Sequence, residues 1–139
     1  MIYLLIGVCV LSSNIAAQIV HVWDLAEFDQ EGQFTIYNPD SNDAEFGTPV
    51  VAGDLNGDGL DDLVISAMAG DGPFNGRSNA GEVNIYFSTG VIEGQLDLAP
   101  EPSGVVRIYG EGRRDIFGIK THIDDVTGDG LADLLVGAF

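Results

Sequence analysis

Apolar residues in this chain fall into short runs separated by stretches rich in Gly, Asp, Asn and Ser. Ile19-Val20-His21-Val22-Trp23, Gln33-Phe34-Thr35-Ile36-Tyr37 and Val105-Val106-Arg107-Ile108-Tyr109 are short and dominated by β-branched and aromatic side chains. Runs of that kind, bounded by turn formers, read as strands. Glu82-Val83-Asn84-Ile85-Tyr86-Phe87 alternates and is bounded by Gly81 and Gly90. Leu63-Val64-Ile65 and Leu134-Leu135-Val136 are continuously apolar, the pattern of strands buried on both faces. The expected fold is all-β.

The connections repeat as well. Asp54-Leu55-Asn56-Gly57-Asp58-Gly59-Leu60-Asp61-Asp62 is matched by Asp125-Val126-Thr127-Gly128-Asp129-Gly130-Leu131-Ala132-Asp133. Phe46-Gly47 stands eight residues before Asp54, and Phe117-Gly118 stands eight before Asp125, so the unit recurs every 71 residues. One unit holds four strands: Phe46 to Gly53, Leu63 to Ala67, Glu82 to Phe87 and Val105 to Tyr109. Four-stranded sheets at a fixed period indicate a β-propeller.

Each loop carries oxygen-bearing side chains at positions 1, 3, 5 and 9 and Gly at position 6. Alternate residues turn oxygens inward, and the carbonyl at position 7 can complete a shell for Ca2+, which takes about 6–8 oxygens. The expected ligands are Asp54, Asn56, Asp58, Leu60 and Asp62 in one loop, and Asp125, Thr127, Asp129, Leu131 and Asp133 in the other. Helix–loop–helix sites place a bidentate Glu at position 12. Here that position is Ile65 or Val136, so each loop is expected to close a β-hairpin. An Asp/Asn/Gly turn that binds nothing is the competing reading of the same residues.

With Phe46-Gly47, Gly53 to Gly59, Asp62 to Ala67 and Gly81 to Phe87, the chain resembles the FG-GAP repeat of integrin α-subunit propellers. Phe117-Gly118, Asp125 to Asp133 and Val136-Gly137-Ala138 repeat the likeness, which covers about two-thirds of the chain. The Pro ending the family's Gly-Ala-Pro is replaced by Met68 and Phe139, away from the loop ligands. The resemblance implies four-stranded antiparallel blades in an incomplete propeller: closing strands in 18–45, a full blade in 46–109 and the start of the next in 117–139. It implies two structural Ca2+ sites. It also implies that the N-terminal strands complete the last blade, and that the chain is the N-terminal piece of a longer protein.

The net charge of −17, with only five Lys and Arg, argues against nucleic-acid binding, which needs basic patches. Ile2 to Leu11 is apolar but too short to span a bilayer, and small residues end at Ala16-Ala17. Residues 1–17 therefore read as a secretory signal peptide, against the alternative of a buried strand. Cleavage would remove Cys9, the only cysteine.

No catalytic constellation emerges. His21 and His122 lack metal-spaced partners, and there is no nucleophile elbow or phosphate-cradling loop. Glu27, Asp29 and Glu31 read as a loop, Asp61 and Asp124 as solvent-facing flanks, and Phe74 as part of a solvated Gly-rich connection. Trp23 and the tyrosines suit core positions better than a sugar platform. The leading expectation is a secreted, non-enzymatic, calcium-binding module that recognises a protein or glycan at the cell surface. The alternative is a propeller part of a larger secreted hydrolase or lyase of phospholipase or polysaccharide-degrading type, with any catalytic domain further along.

Overall fold

The structure is a computed structural model and describes residues 34–38, 45–90, 94–99 and 102–139. Among the described residues eight strands run in order: β1 (Phe34–Tyr37), β2 (Phe46–Gly53), β3 (Asp62–Ala67), β4 (Glu82–Tyr86), β5 (Gly94–Asp97), β6 (Val105–Tyr109), β7 (Lys120–Asp124) and β8 (Asp133–Gly137). The segments 1–17 and 19–23, with His21 and Trp23, and the acidic stretch 27–31 lie outside the described residues.

The centre is a four-stranded antiparallel sheet ordered β2-β3-β4-β6. Leu63 pairs with Tyr86, Ile65 with Asn84 and Ala67 with Glu82, and Tyr86 pairs in turn with Val105. Every residue of β3 is buried. Successive side chains alternate between the two faces of a strand, so this central strand feeds two cores. Phe34, Ile36, Phe46, Leu63, Ile65, Ala67 and Leu98 form one, and the rings of Phe34 and Tyr86 lie 5.3 Å apart within it. Val64, Val83 and Ile85 form the other, covered by Phe117, Ile123, Leu134 and Val136. Fully burying a side chain of this size stabilises the fold by about 1.5–3 kcal/mol.

Two smaller sheets flank the blade. β7 and β8 form an antiparallel hairpin, with Asp124 opposite Asp133, and pack on the second core. On the other side β1 pairs with β5 in parallel, Phe34 opposite Gly94 and Tyr37 opposite Asp97. β5 (Gly-Gln-Leu-Asp) has a single apolar residue, so no alternation marks it as a strand. Its backbone pairing with β1 supplies what its side chains do not.

Candidate metal centre

The two repeated loops join antiparallel strands, β2 to β3 and β7 to β8. Gly at position 6 has φ +86° in Gly59 and +89° in Gly130, a left-handed conformation that glycine adopts without steric cost.

Inside each loop the carboxylate at position 1 organises the backbone. Asp54 Oδ1 accepts the N–H groups of Gly57 (2.7 Å) and Asp58 (3.1 Å), and its Oδ2 accepts that of Gly59 (2.8 Å). Asp125 repeats the scheme with Gly128 (2.6 Å), Asp129 (3.2 Å) and Gly130 (2.8 Å). Position 5 serves position 7 in the same way: Asp58 Oδ1 accepts Leu60 N–H at 2.8 Å, and Asp129 Oδ1 accepts Leu131 N–H at 2.9 Å. Position 9 closes the loop onto its beginning. Asp62 Oδ2 accepts Leu55 N–H at 3.1 Å, and Asp133 Oδ2 accepts the N–H groups of Val126 and Thr127, each at 3.0 Å. The matching sequences therefore fold into matching hydrogen-bond schemes.

The copies differ in two places. Asn56 reaches Asp58 through both ends of its amide: Oδ1 accepts Asp58 N–H at 2.9 Å and Nδ2 donates to Asp58 Oδ2 at 3.1 Å. In the second loop Thr127 sends its hydroxyl toward Asp125 instead. The Gly130 N–H first, then those of Gly128 and Asp129 and the Thr127 hydroxyl, hold the Asp125 carboxyl below its ordinary range. Asp62 is also fully buried, and its Oδ1 accepts Ser88 N–H at 2.9 Å, whereas Asp133 is half-buried. Ser88 was not legible as part of the site, because a backbone donor leaves no trace in residue type.

The two loops meet at one end of the sheets. A Cβ built on Gly57 would lie 3.2 Å from Leu131 Cδ2. Leu60 and Leu131 are exposed at position 7. The flanking Asp61 and Asp124 are exposed, and His122, also exposed, stands 3.9 Å from Asp124. Tyr86 is packed against the first core.

The donor set tests well for a hard cation by its chemistry, since every candidate ligand offers oxygen and each loop holds three carboxylates. Its arrangement is that of a self-bonded turn. Among the described residues no three His, Cys, Asp or Glu side chains gather closely enough to hold a metal. Asp54, Asn56 and Asp58 are brought together by hydrogen bonds, but the carboxylates face the loop's own N–H groups. Each carboxylate oxygen can accept two hydrogen bonds, so the single bonds at Asp58 Oδ1 and at both oxygens of Asp62 leave acceptor capacity.

Residues 46–86, which contain β2, the first loop, β3 and β4, match the FG-GAP repeat. This segment is an FG-GAP repeat. The all-β architecture, with its four-stranded antiparallel sheet and the separate β7-β8 hairpin, is consistent with FG-GAP β-propeller blades. Phosphatidylinositol-glycan-specific phospholipase D of Rattus norvegicus is 37% identical over 97 residues, which are 68% of this chain and 11% of the phospholipase. Integrin alpha-PS5 of Drosophila melanogaster is 31% identical over 96 residues, 67% of this chain and 8% of the integrin. The chain thus spans about a tenth of the length of these curated relatives. No helix among the described residues is long and apolar enough to cross a membrane.

Proposed function

We propose that this FG-GAP module binds calcium in both loops and serves, outside the cell, as a non-catalytic platform for recognising a protein or glycan. The observation that carries the calcium reading is the duplicated hydrogen-bond scheme. Two loops 71 residues apart hold the same oxygens on the same backbone groups, although Asn56 gives way to Thr127. Three carboxylates on one short loop repel one another, a repulsion that a bound cation would relieve.

Asp54, Asn56, Asp58 and Asp62 with the Leu60 carbonyl would hold one ion, and Asp125, Thr127, Asp129 and Asp133 with the Leu131 carbonyl the other. The ion would supply charge neutralisation and a cross-link across the hairpin. Five protein groups in each loop, with a carboxylate binding through both oxygens, would occupy most of such a shell, which supports a structural role. Extracellular modules bind Ca2+ with Kd of about 10⁻⁴–10⁻³ M, suiting a calcium-rich exterior. The integrin relative supports the recognition reading.

The 37% identity to a phospholipase supports a second reading, in which the same module accompanies a catalytic domain of a hydrolase. The two readings agree on the loops and differ on the intact protein. Full-length transcript sequencing separates them by showing whether a hydrolase domain is encoded with the repeats.

Melting curves in EDTA and in millimolar CaCl2 test the calcium reading. Calcium at about one to ten times Kd stabilises the folded state by about 0.4–1.4 kcal/mol per site, so the melting temperature rises by a few degrees. Asp58→Asn should remove part of that rise while leaving the EDTA curve close to wild type. An unaltered calcium shift in this variant removes Asp58 from the ligand set, and no shift in the wild type removes the calcium reading.

A further inference from the structure

The described residues contain five places where Asn or Asp precedes Gly: Asn56-Gly57, Asp58-Gly59, Asp71-Gly72, Asn75-Gly76 and Asp129-Gly130. These are the sequences most open to attack by the next backbone nitrogen on the side-chain carbonyl carbon, because glycine has no Cβ to obstruct the approach. That nitrogen must first lose its proton. A carboxylate accepting the N–H favours the protonated form and holds the nitrogen away from the carbonyl carbon.

Four of the five glycines are held in this way. Gly57 donates to Asp54 at 2.7 Å, Gly59 to Asp54 at 2.8 Å, Gly130 to Asp125 at 2.8 Å, and Gly72 to the buried Glu82 at 3.1 Å. Gly76 differs, since its N–H donates only to the Pro73 carbonyl, at 3.2 Å. The asparagines differ as well. Both ends of the Asn56 amide are bonded to Asp58. Asn75 is exposed, and its amide has no hydrogen-bond partner among the described residues. Phe74, the neighbour of Asn75, also carries φ of +58°, a strained value for a bulky residue, while Asn75 at +54° is of a type that tolerates this region. Local opening of this turn therefore relieves the strain at Phe74 and sacrifices two backbone hydrogen bonds, Gly76 N–H to the Pro73 carbonyl at 3.2 Å and Asn75 N–H to the Gly72 carbonyl at 3.0 Å, but no bond to a carboxylate.

We propose that Asn75 is a site of spontaneous deamidation in the folded protein, and that the first metal-loop scheme protects Asn56 from the same reaction. The deprotonated Gly76 nitrogen bonds to Asn75 Cγ, the Cγ–Nδ2 bond breaks, and Nδ2 takes up a proton and leaves as ammonia. Water then opens the resulting succinimide at either carbonyl, giving aspartate or isoaspartate. The sum is amide plus water to carboxylic acid plus ammonia, with nothing oxidised or reduced. The product places a new carboxylate beside the fully exposed Phe74 and two residues from Arg77, changing the charge of the loop tip.

The proposal does not depend on calcium, so the test is run in EDTA. The whole chain is aged at mildly alkaline pH, folded and in urea, and both asparagine-containing peptides are followed by mass spectrometry. In urea both peptides should gain about 1 Da at similar rates, the conversion of amide to acid. In the folded protein the Asn75 peptide should gain it at least about tenfold faster than the Asn56 peptide, because protection follows local opening. Gly76 has φ −87°, which any residue adopts, and a Cβ there would lie 3.3 Å from the Pro73 carbonyl oxygen. Gly76→Ala should therefore fold and slow the reaction at Asn75 while leaving Asn56 unchanged. Retention of the Asn75 mass in the folded chain, or equal folded-state rates at the two asparagines, overturns the proposal.

Discussion

Asp125 shows at a single residue how the loop's backbone sets side-chain chemistry. Its carboxyl is held below the ordinary range chiefly by the Gly130 N–H, with Gly128, Asp129 and Thr127 adding to it and desolvation opposing. A folded pKa below the unfolded one means that the loop gains stability above the unfolded value and loses it as pH falls through the folded value. Because the carboxylate is open to water, the effect belongs to the loop and is screened by salt. In EDTA, the Gly130 amide signal in an NMR pH titration should move with a midpoint below the 3.8 of an ordinary aspartate. A midpoint at or above that value would mean that the hydrogen bonds favour the neutral acid.

At the scale of elements, Asp62 ties three segments together: it begins β3, accepts Leu55 N–H from the loop, and accepts Ser88 N–H just beyond β4. Replacing it with Ala strands two backbone donors, one of them in a buried bond, and each such orphan costs about 1–3 kcal/mol. Asp62→Ala should therefore lose about 2–4 kcal/mol in urea unfolding with EDTA present, a loss that owes nothing to metal. Asp61→Ala, one exposed residue away, should stay within about 0.5 kcal/mol of wild type. The strands that flank Asp62 were legible because their apolar runs report burial directly: β2 and β6 have the bounds read from the sequence, while β3 starts one residue earlier, at Asp62, and β4 ends one residue earlier, at Tyr86. The parallel partner of β1 was not legible, since Gly94-Gln95-Leu96-Asp97 carries only Leu96 into the first core. The loop residues were readable as a repeated set of oxygens. Which N–H groups those oxygens would accept was not, because Gly57, Gly59 and Ser88 act through their backbones.

At the scale of the molecule, the second hairpin is seated on the blade by close backbone approach as well as by apolar packing. In the segment that leads into the hairpin, Phe117 N–H donates to the Ala80 carbonyl at 2.9 Å and Ile116 N–H to the Asn79 carbonyl at 3.2 Å. A Cβ on Gly81 would fall 2.2 Å from the Phe117 carbonyl oxygen and 2.3 Å from its nitrogen, a clash with main chain that no rotamer change relieves. Gly81 also has φ +84°, so an alanine there adds conformational strain of about 1–2 kcal/mol. Gly104 separates the two effects. Its φ is +86°, yet a Cβ on it meets nothing within 4 Å. Gly104→Ala should thus lose only the strain, about 1–2 kcal/mol, whereas Gly81→Ala should lose that and push Phe117 off the blade. The excess shows in two measurements: a larger fall in the urea midpoint, and faster hydrogen exchange at Phe117 and along β7 and β8 while the centre of the blade stays protected. Equal midpoints for the two variants would mean that the hairpin is held by its apolar contacts alone, through Ile123, Leu134 and Val136 against Val64, Val83 and Ile85.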